Sequence, residues 1–292
     1  MPVFSESEKK AIKDEVRKKY QCRSETEFKQ YVEVIAGLRI INKILGREWY
    51  QRAAEGIEES EESSLQDHPI KYYLKMDEPK KIVQLLTFAS FLRDLYGKCN
   101  LDEKIKEYTR KQKRAPITTE SFNKLHTELK IASHFVNKGF KVEFLKETKR
   151  KKTPDLKITA NDGCALIECK RKKDDGEMFV ESLTDSILAA NSQLEGSKVP
   201  AMIFVDVPIS DDLKVKSKTR EVSWDEVFPQ LKTVHYVLIA GEWQTMVPGR
   251  AHATTYMNSF ENKMSDLKLP PSIEDIVRDI KPSPLKPSLL MD

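Results

Sequence analysis

Thr153-Pro154-Asp155-Leu156-Lys157-Ile158-Thr159-Ala160-Asn161-Asp162-Gly163-Cys164-Ala165-Leu166-Ile167-Glu168-Cys169-Lys170 is the stretch on which the fold turns. Asn161-Asp162-Gly163 is a strong β-hairpin signal between two short runs of strand-forming character. Side chains alternate along a strand, so Leu166, Glu168 and Lys170 share one face, and Ala165, Ile167 and Cys169 share the other. A charge among apolar neighbours is costly unless it is paired or binds a cation. Pro154 suits a strand start, and Asp155 opens the partner strand. In an antiparallel hairpin closed at 161–163, Asp155 and Glu168 lie at the same open end. Their carboxylates could share Mg²⁺ or Mn²⁺, because hard divalent cations take oxygen ligands. Lys170, one alternation further on, could orient or deprotonate a water, or neutralise charge on a phosphorane.

Two basic runs bracket the hairpin: Lys149-Arg150-Lys151-Lys152 and Lys170-Arg171-Lys172-Lys173. A net charge of +4 over 292 residues is too weak to argue for a polyanionic partner. Local patches can still bind phosphates. No aromatic residues are interleaved with these runs, so base stacking is not indicated. The chain is 39% apolar and 33% charged, which predicts a heavily charged, soluble surface rather than disorder. Cysteines at 22, 99, 164 and 169 form no CxxC pair and fit no zinc spacing. They read as reduced thiols. The segment MPVFSESEKK lacks a signal-peptide core and no apolar run is long enough to cross a bilayer. The expectation is a cytoplasmic protein with no membrane partner.

Working outward, three regions are expected: a helical part over 1–115, a mixed α/β domain over 116–268 and a Pro-rich tail over 269–292. In the first, Ser5-Glu6-Ser7-Glu8 can cap a helix running to about Tyr20. Others are expected from Ser24, from Pro79 to Tyr96 and over 101–113. Substrate selection, partner binding or homodimer formation are the roles open to this part. Ala115-Pro116 marks a boundary. Thr118 or Thr119 then caps a helix that stops at Gly139. Strands follow at 141–146, 155–159 and 164–171, a helix at 177–195, a buried strand at 201–207, a short helix at 224–231 and a buried strand at 234–240. The tail is expected to be an extended or partly disordered arm. The fold class is α/β, a mixed sheet with helices on its faces.

Helix 119–138 adds an independent clue. Phe122, Leu125, Leu129, Ile131, Ala132, Phe135 and Val136 form one apolar arc, and Glu128 falls inside it. That carboxylate should be buried and partnered by the cationic site on the following sheet, either the metal or Lys170. Glu128, Pro154-Asp155 and Glu168-Cys169-Lys170 together resemble the PD-(D/E)xK nuclease superfamily, whose restriction-endonuclease-like core is αβββαβ. The resemblance covers the α/β part and not the helical region. It implies phosphodiester hydrolysis with one or two Mg²⁺ ions; as the nucleic acid, DNA is favoured over RNA. Asp155 and Glu168 would ligate metal with the Cys169 backbone carbonyl. Lys170 would act on the nucleophilic water, and Glu128 would take the upstream acidic position. Gln193 is the candidate for the accessory glutamine of some branches; position 197, where a tyrosine would follow, is serine.

Plainer assignments exist for each residue. Asp155 and Glu168 could be a surface acid pair, and Lys170 part of a solvated run. Glu128 could face solvent if the helix register differs, and Gln193 reads more readily as a solvated helix residue. Arg250 and His252, in an expected loop VPGRAH, could touch a phosphate. The alternative to catalysis is a nucleic-acid-binding or scaffold module that kept the fold.

Overall fold

A computed structural model describes residues 2–49, 79–112, 119–146, 153–172, 179–207, 219–247 and 250–278, with 280, 283–284 and 289–290 of the tail. The chain divides into two compact units. Unit 1 holds Met1–Leu129, Gln244–Ala253 and Leu285–Asp292; unit 2 holds Lys130–Trp243 and Thr254–Pro284. The expected boundary at Ala115-Pro116 lies outside the described residues.

Unit 1 is built on helices whose starts are written in the sequence. Helix α1 (Glu6–Lys19) opens with a capping box. Ser5 Oγ accepts from the Glu8 amide at 3.3 Å, and Glu8 Oε2 accepts from the Ser5 amide at 2.7 Å. Helix α2 (Glu25–Leu45) is capped by Ser24 and ends at Gly46, whose φ of +93° suits a residue without Cβ. Helices α3 (Pro79–Leu95) and α4 (Leu101–Gln112) follow. Ile12, Ile40, Ile41, Phe88, Leu92 and Leu95 are buried in this unit. The tail was expected to be loose, yet Leu289 and Leu290 are buried. The Leu289 amide donates to Glu33 Oε2 at 2.5 Å, and Leu289 Cδ1 lies against Gly37, 3.3 Å from where a Cβ would stand there.

Helix α5 (Thr119–Asn137) leads into unit 2 and breaks at Gly139, φ +89°. Then come β1 (Lys141–Phe144), β2 (Leu156–Ala160), β3 (Gly163–Arg171), α6 (Phe179–Leu194) and β4 (Ala201–Val207). The order helix, three strands, helix, strand is the one expected. A short helix α7 (Trp224–Val227) runs into a 3₁₀ turn (Phe228–Gln230), followed by β5 (Val234–Val247) and β6 (Arg250–Glu261). The strands lie in sequence order in one sheet, six of ordinary length plus the two-residue β7 (Ser283–Pro284). Pairing is antiparallel for β1–β2–β3 and parallel for β3–β4–β5, so the sheet is mixed. Every residue of β4 is buried, as its continuous apolar run required. One layer of core joins Phe179, Leu183, Ile187, Ala190 and Leu194 of α6 to Ile203, Val205 and Val207 of β4, with Leu166 of β3 against it.

Two expectations are corrected. Strand β6 begins at Arg250, within the expected loop; its polar, threonine-rich sequence carries no apolar run to announce it. Helix α8 (Pro271–Arg278) replaces the start of the expected arm. Pro271 at its first position is compatible with helix, and Ile273 and Val277, four apart, are buried. Among the described residues no helix is long and apolar enough to cross a membrane.

Candidate active site

The β2–β3 register runs from Leu156 opposite Ile167 to Ala160 opposite Gly163, leaving Asn161-Asp162 as a two-residue turn. Continuing one step toward the open end sets Asp155 across from Glu168. The Asp155 amide donates to the Ile167 carbonyl at 3.1 Å, which holds that register. Asp155 Oδ2 accepts from the Cys169 amide at 2.9 Å. Both carboxylates are buried, Asp155 at 6% and Glu168 at 1% exposure. Glu168 Oε1 accepts from Lys170 Nζ at 2.7 Å and from Gln193 Nε2 at 2.5 Å. The Lys170 side chain keeps 26% of its exposure, so its ammonium spans buried carboxylate and solvent. A carboxylate this deep is costly unless charge-assisted bonds compensate it, and two donors on one oxygen do so here.

Gln193 therefore departs from the solvated residue expected. It lies in the last turn of α6, three residues after buried Ala190 and beside buried Leu194. That position flanks the apolar stripe and brings the amide over β3. Glu128 is buried, as its helix phase required, and forms an ion pair with Lys104 of α4 within unit 1. Lys170, one of the two partners expected for it, contacts Glu168 instead. The basic run at the end of β3 is not a continuous solvated face either. Lys172 is 3% exposed with its ammonium 5.4 Å from the Phe179 ring, and Arg171 Nη1 bonds Asp206 Oδ2 at 3.0 Å. Lys149, Arg150, Lys151, Lys152 and Lys173 lie outside the described residues.

Two charged residues escaped the sequence reading. Lys130 of α5 and Asp206 of β4 are both buried, with Lys130 Nζ 2.8 Å from Asp206 Oδ1. Half of the signal was present: AMIFVDV places one carboxylate in an otherwise apolar strand, whereas helix phase sets Lys130 about 80° beyond Phe122, outside the α5 apolar arc.

A second polar cluster lies elsewhere in unit 2. Ligand atoms of His235, Glu261 and Glu274 all fall within 4.8 Å of one another. His235 Nδ1 accepts from the Leu269 amide at 2.9 Å. The neutral ring therefore carries its proton on Nε2, which faces Glu261 Oε1 at 3.8 Å. A cation would need the lone pair that this proton occupies. Glu274 is held by Arg278 and by the Tyr236 hydroxyl at 3.4 Å. Burial, with Lys268 nearby, pushes the His235 pKa down. This is the chemistry of a structural histidine. Asp155 and Glu168, by contrast, offer oxygen donors from facing positions, a set that suits a hard divalent cation.

No protein-family model matches the chain, and no curated protein matches it.

Proposed function

We propose that unit 2 is a metal-dependent nuclease of the PD-(D/E)xK kind, hydrolysing phosphodiester bonds in DNA in preference to RNA. One observation carries this: two buried carboxylates face each other across β2 and β3, and a partly exposed lysine and a helix-borne glutamine converge on one of them. A purely structural strand has no use for four polar groups there, since apolar residues would fill the space at lower desolvation cost.

Asp155 and Glu168 are the residues that would hold Mg²⁺ or Mn²⁺, with the Cys169 carbonyl as a further oxygen. When bound, the ion polarises the phosphate and lowers the pKa of a water. Asp155 is oriented by the Cys169 amide, which fixes its Oδ2. Gln193 and Lys170 hold the Glu168 rotamer through the same oxygen. Lys170 also reaches solvent, where its ammonium can orient the attacking water and offset charge gathering on the phosphate. Glu128, tied to Lys104, is given no step.

The test is cleavage of single- and double-stranded DNA and of RNA by the full chain in Mg²⁺, Mn²⁺ or EDTA. Cleavage that needs the metal and disappears in Asp155→Ala/Lys170→Ala supports the proposal. Cleavage surviving in that variant defeats it. Salt-sensitive binding without cleavage under any metal assigns the chain to the non-catalytic alternative instead.

A further inference from the structure

We propose that Asp206, gripped by Lys130 and Arg171, is a positioning centre that fixes the end of β3 bearing Glu168 and Lys170; this rests on the assignment of that hairpin as the catalytic site. Strands β3 and β4 run parallel, with Lys170 beside Val205 and Arg171 beside Asp206. Among the described residues, three hydrogen bonds hold Asp206 to β3 and α5. Its Oδ2 accepts from Arg171 Nη1 at 3.0 Å, its Oδ1 from Lys130 Nζ at 2.8 Å, and its backbone carbonyl from the Lys172 amide at 2.9 Å. Two of these seize β3 immediately after Lys170. The third anchors Asp206 to α5.

Alternation makes that grip directional. Arg171 and Lys170 are neighbours, so their side chains leave opposite faces of the strand. Arg171 belongs to the face shared with Ala165, Ile167 and Cys169, and Asp206 to the matching face of β4. Holding Arg171 there turns Lys170 to the other face, where Glu168 Oε1 receives it at 2.7 Å and Gln193 completes the set. A one-residue slip or a twist at the strand end would undo both arrangements together.

Energetics point the same way. The Lys130 and Asp206 side chains are 2% and 3% exposed. Removing such a pair from water costs nearly what its attraction returns, and an apolar pair of similar volume is often as stable or more so. The network is a poor choice for stability alone, and an effective one for setting direction and register.

The experiment uses the full chain and compares Lys130→Met/Asp206→Leu, Asp206→Asn and Asp206→Ala with the unaltered protein. Asp206→Ala strips the buried Lys130 ammonium of this partner and should lower the melting temperature. The double substitution should recover the melting temperature and still lower kcat by about 10- to 100-fold with KM unchanged, the range seen when groups that orient ligating residues are lost. Asp206→Asn keeps the shape with a weaker hold and should fall between; it carries the test if the double variant does not fold. Independently of catalysis, amide hydrogen exchange at Lys170–Lys172 should quicken in the double variant while exchange elsewhere in the sheet is unchanged. Unchanged kcat together with unchanged exchange at these amides overturns the proposal. If the unaltered protein cleaves nothing, the nuclease assignment fails by itself, and the exchange measurement alone decides whether Asp206 positions the strand.

Discussion

Unit 2 holds two polar clusters that compete as metal sites, and proximity alone favours the histidine cluster over the hairpin. His235, Glu261 and Glu274 bring three ligand atoms, an imidazole nitrogen and two carboxylate oxygens, within 4.8 Å of one another, whereas the hairpin offers two carboxylates. Protons reverse the ranking. The Leu269 amide fills the His235 Nδ1 lone pair, which forces the proton onto Nε2 and leaves the neutral ring no lone pair for a cation. At the hairpin, the donors that touch Glu168 come from a side-chain ammonium and a side-chain amide, both on groups able to move when a cation arrives. The difference teaches that distance finds candidate ligands, and hydrogen-bond direction decides whether their lone pairs can be offered.

The largest effect expected from this contrast concerns the carboxylates. Asp155→Asn and Glu168→Gln should each abolish Mn²⁺ binding measured by calorimetry and lower kcat/KM by about 10²–10⁴-fold. Glu261→Gln should leave both unchanged. Mn²⁺ affinity that follows Glu261 and ignores Glu168 would reverse the ranking of the two clusters. A smaller loss, about 10-fold in kcat, is expected for Gln193→Ala, since it orients Glu168 without replacing a ligand. Wild-type turnover in that variant would return Gln193 to the plain helix residue its sequence suggested.

Legibility in the sequence followed the same division between placement and bonding. The hairpin, its turn and the facing of Asp155 and Glu168 could be read because alternation and a two-residue turn fix register locally. The capping box at Ser5 was legible for the same reason, since its partners are three residues apart. Glu128 was correctly buried and given Lys170 as one of two partners, because helix phase gives a face and says nothing of which distant cation meets it. Lys104 does so from α4. Asp206 and Lys130 are 76 residues apart; Asp206 is a single carboxylate in an apolar run and Lys130 falls outside the α5 apolar arc, so neither pointed to the other. Strand β6 was missed because pairing rather than an apolar pattern holds it, and helix α8 because its two prolines at 270 and 271 masked the short Ile273–Val277 repeat.

The histidine cluster should reveal itself through pH rather than through metal. Burial, then Lys268, lowers the His235 pKa, and Glu261 and Glu274 oppose this while Arg278 adds to it. With the folded pKa below the unfolded value, the unfolded chain takes up the proton first. Stability is therefore full above about pH 6.5 and is lost as pH falls toward the folded value. Protonation must also displace the Leu269 amide from Nδ1. His134 acts with the same sign, its pKa pushed down to about 4 by burial and by Lys138. That shift corresponds to roughly 3 kcal/mol lost across the window. Urea midpoints between pH 8 and 5 should fall in the unaltered protein and fall less in His235→Asn, with His134→Phe removing a further part. An equal slope in all three proteins would show that neither ring is protonated only on unfolding.

The smallest effect expected separates the two ends of the hairpin itself. The turn is docked on the start of α8: Asp162 Oδ2 accepts from the Ser272 amide at 2.9 Å and Oδ1 from its hydroxyl at 2.5 Å. Gly163 has φ +152°, and a Cβ there would stand 2.8 Å from Pro270 Cγ, a ring atom with little freedom to yield. Gly163→Ala should cost about 1–3 kcal/mol through backbone strain and overpacking. The carboxylates lie beyond the far end of the paired segment, past Leu156 and Ile167. Because antiparallel pairing is held bond by bond along that length, strain at the turn should be absorbed before it reaches them. Calorimetry should then show a lower melting temperature with unchanged Mn²⁺ affinity. If affinity drops together with stability, the turn and the site form one cooperative element, and α8 would have to be counted among the elements that set the geometry of Asp155 and Glu168.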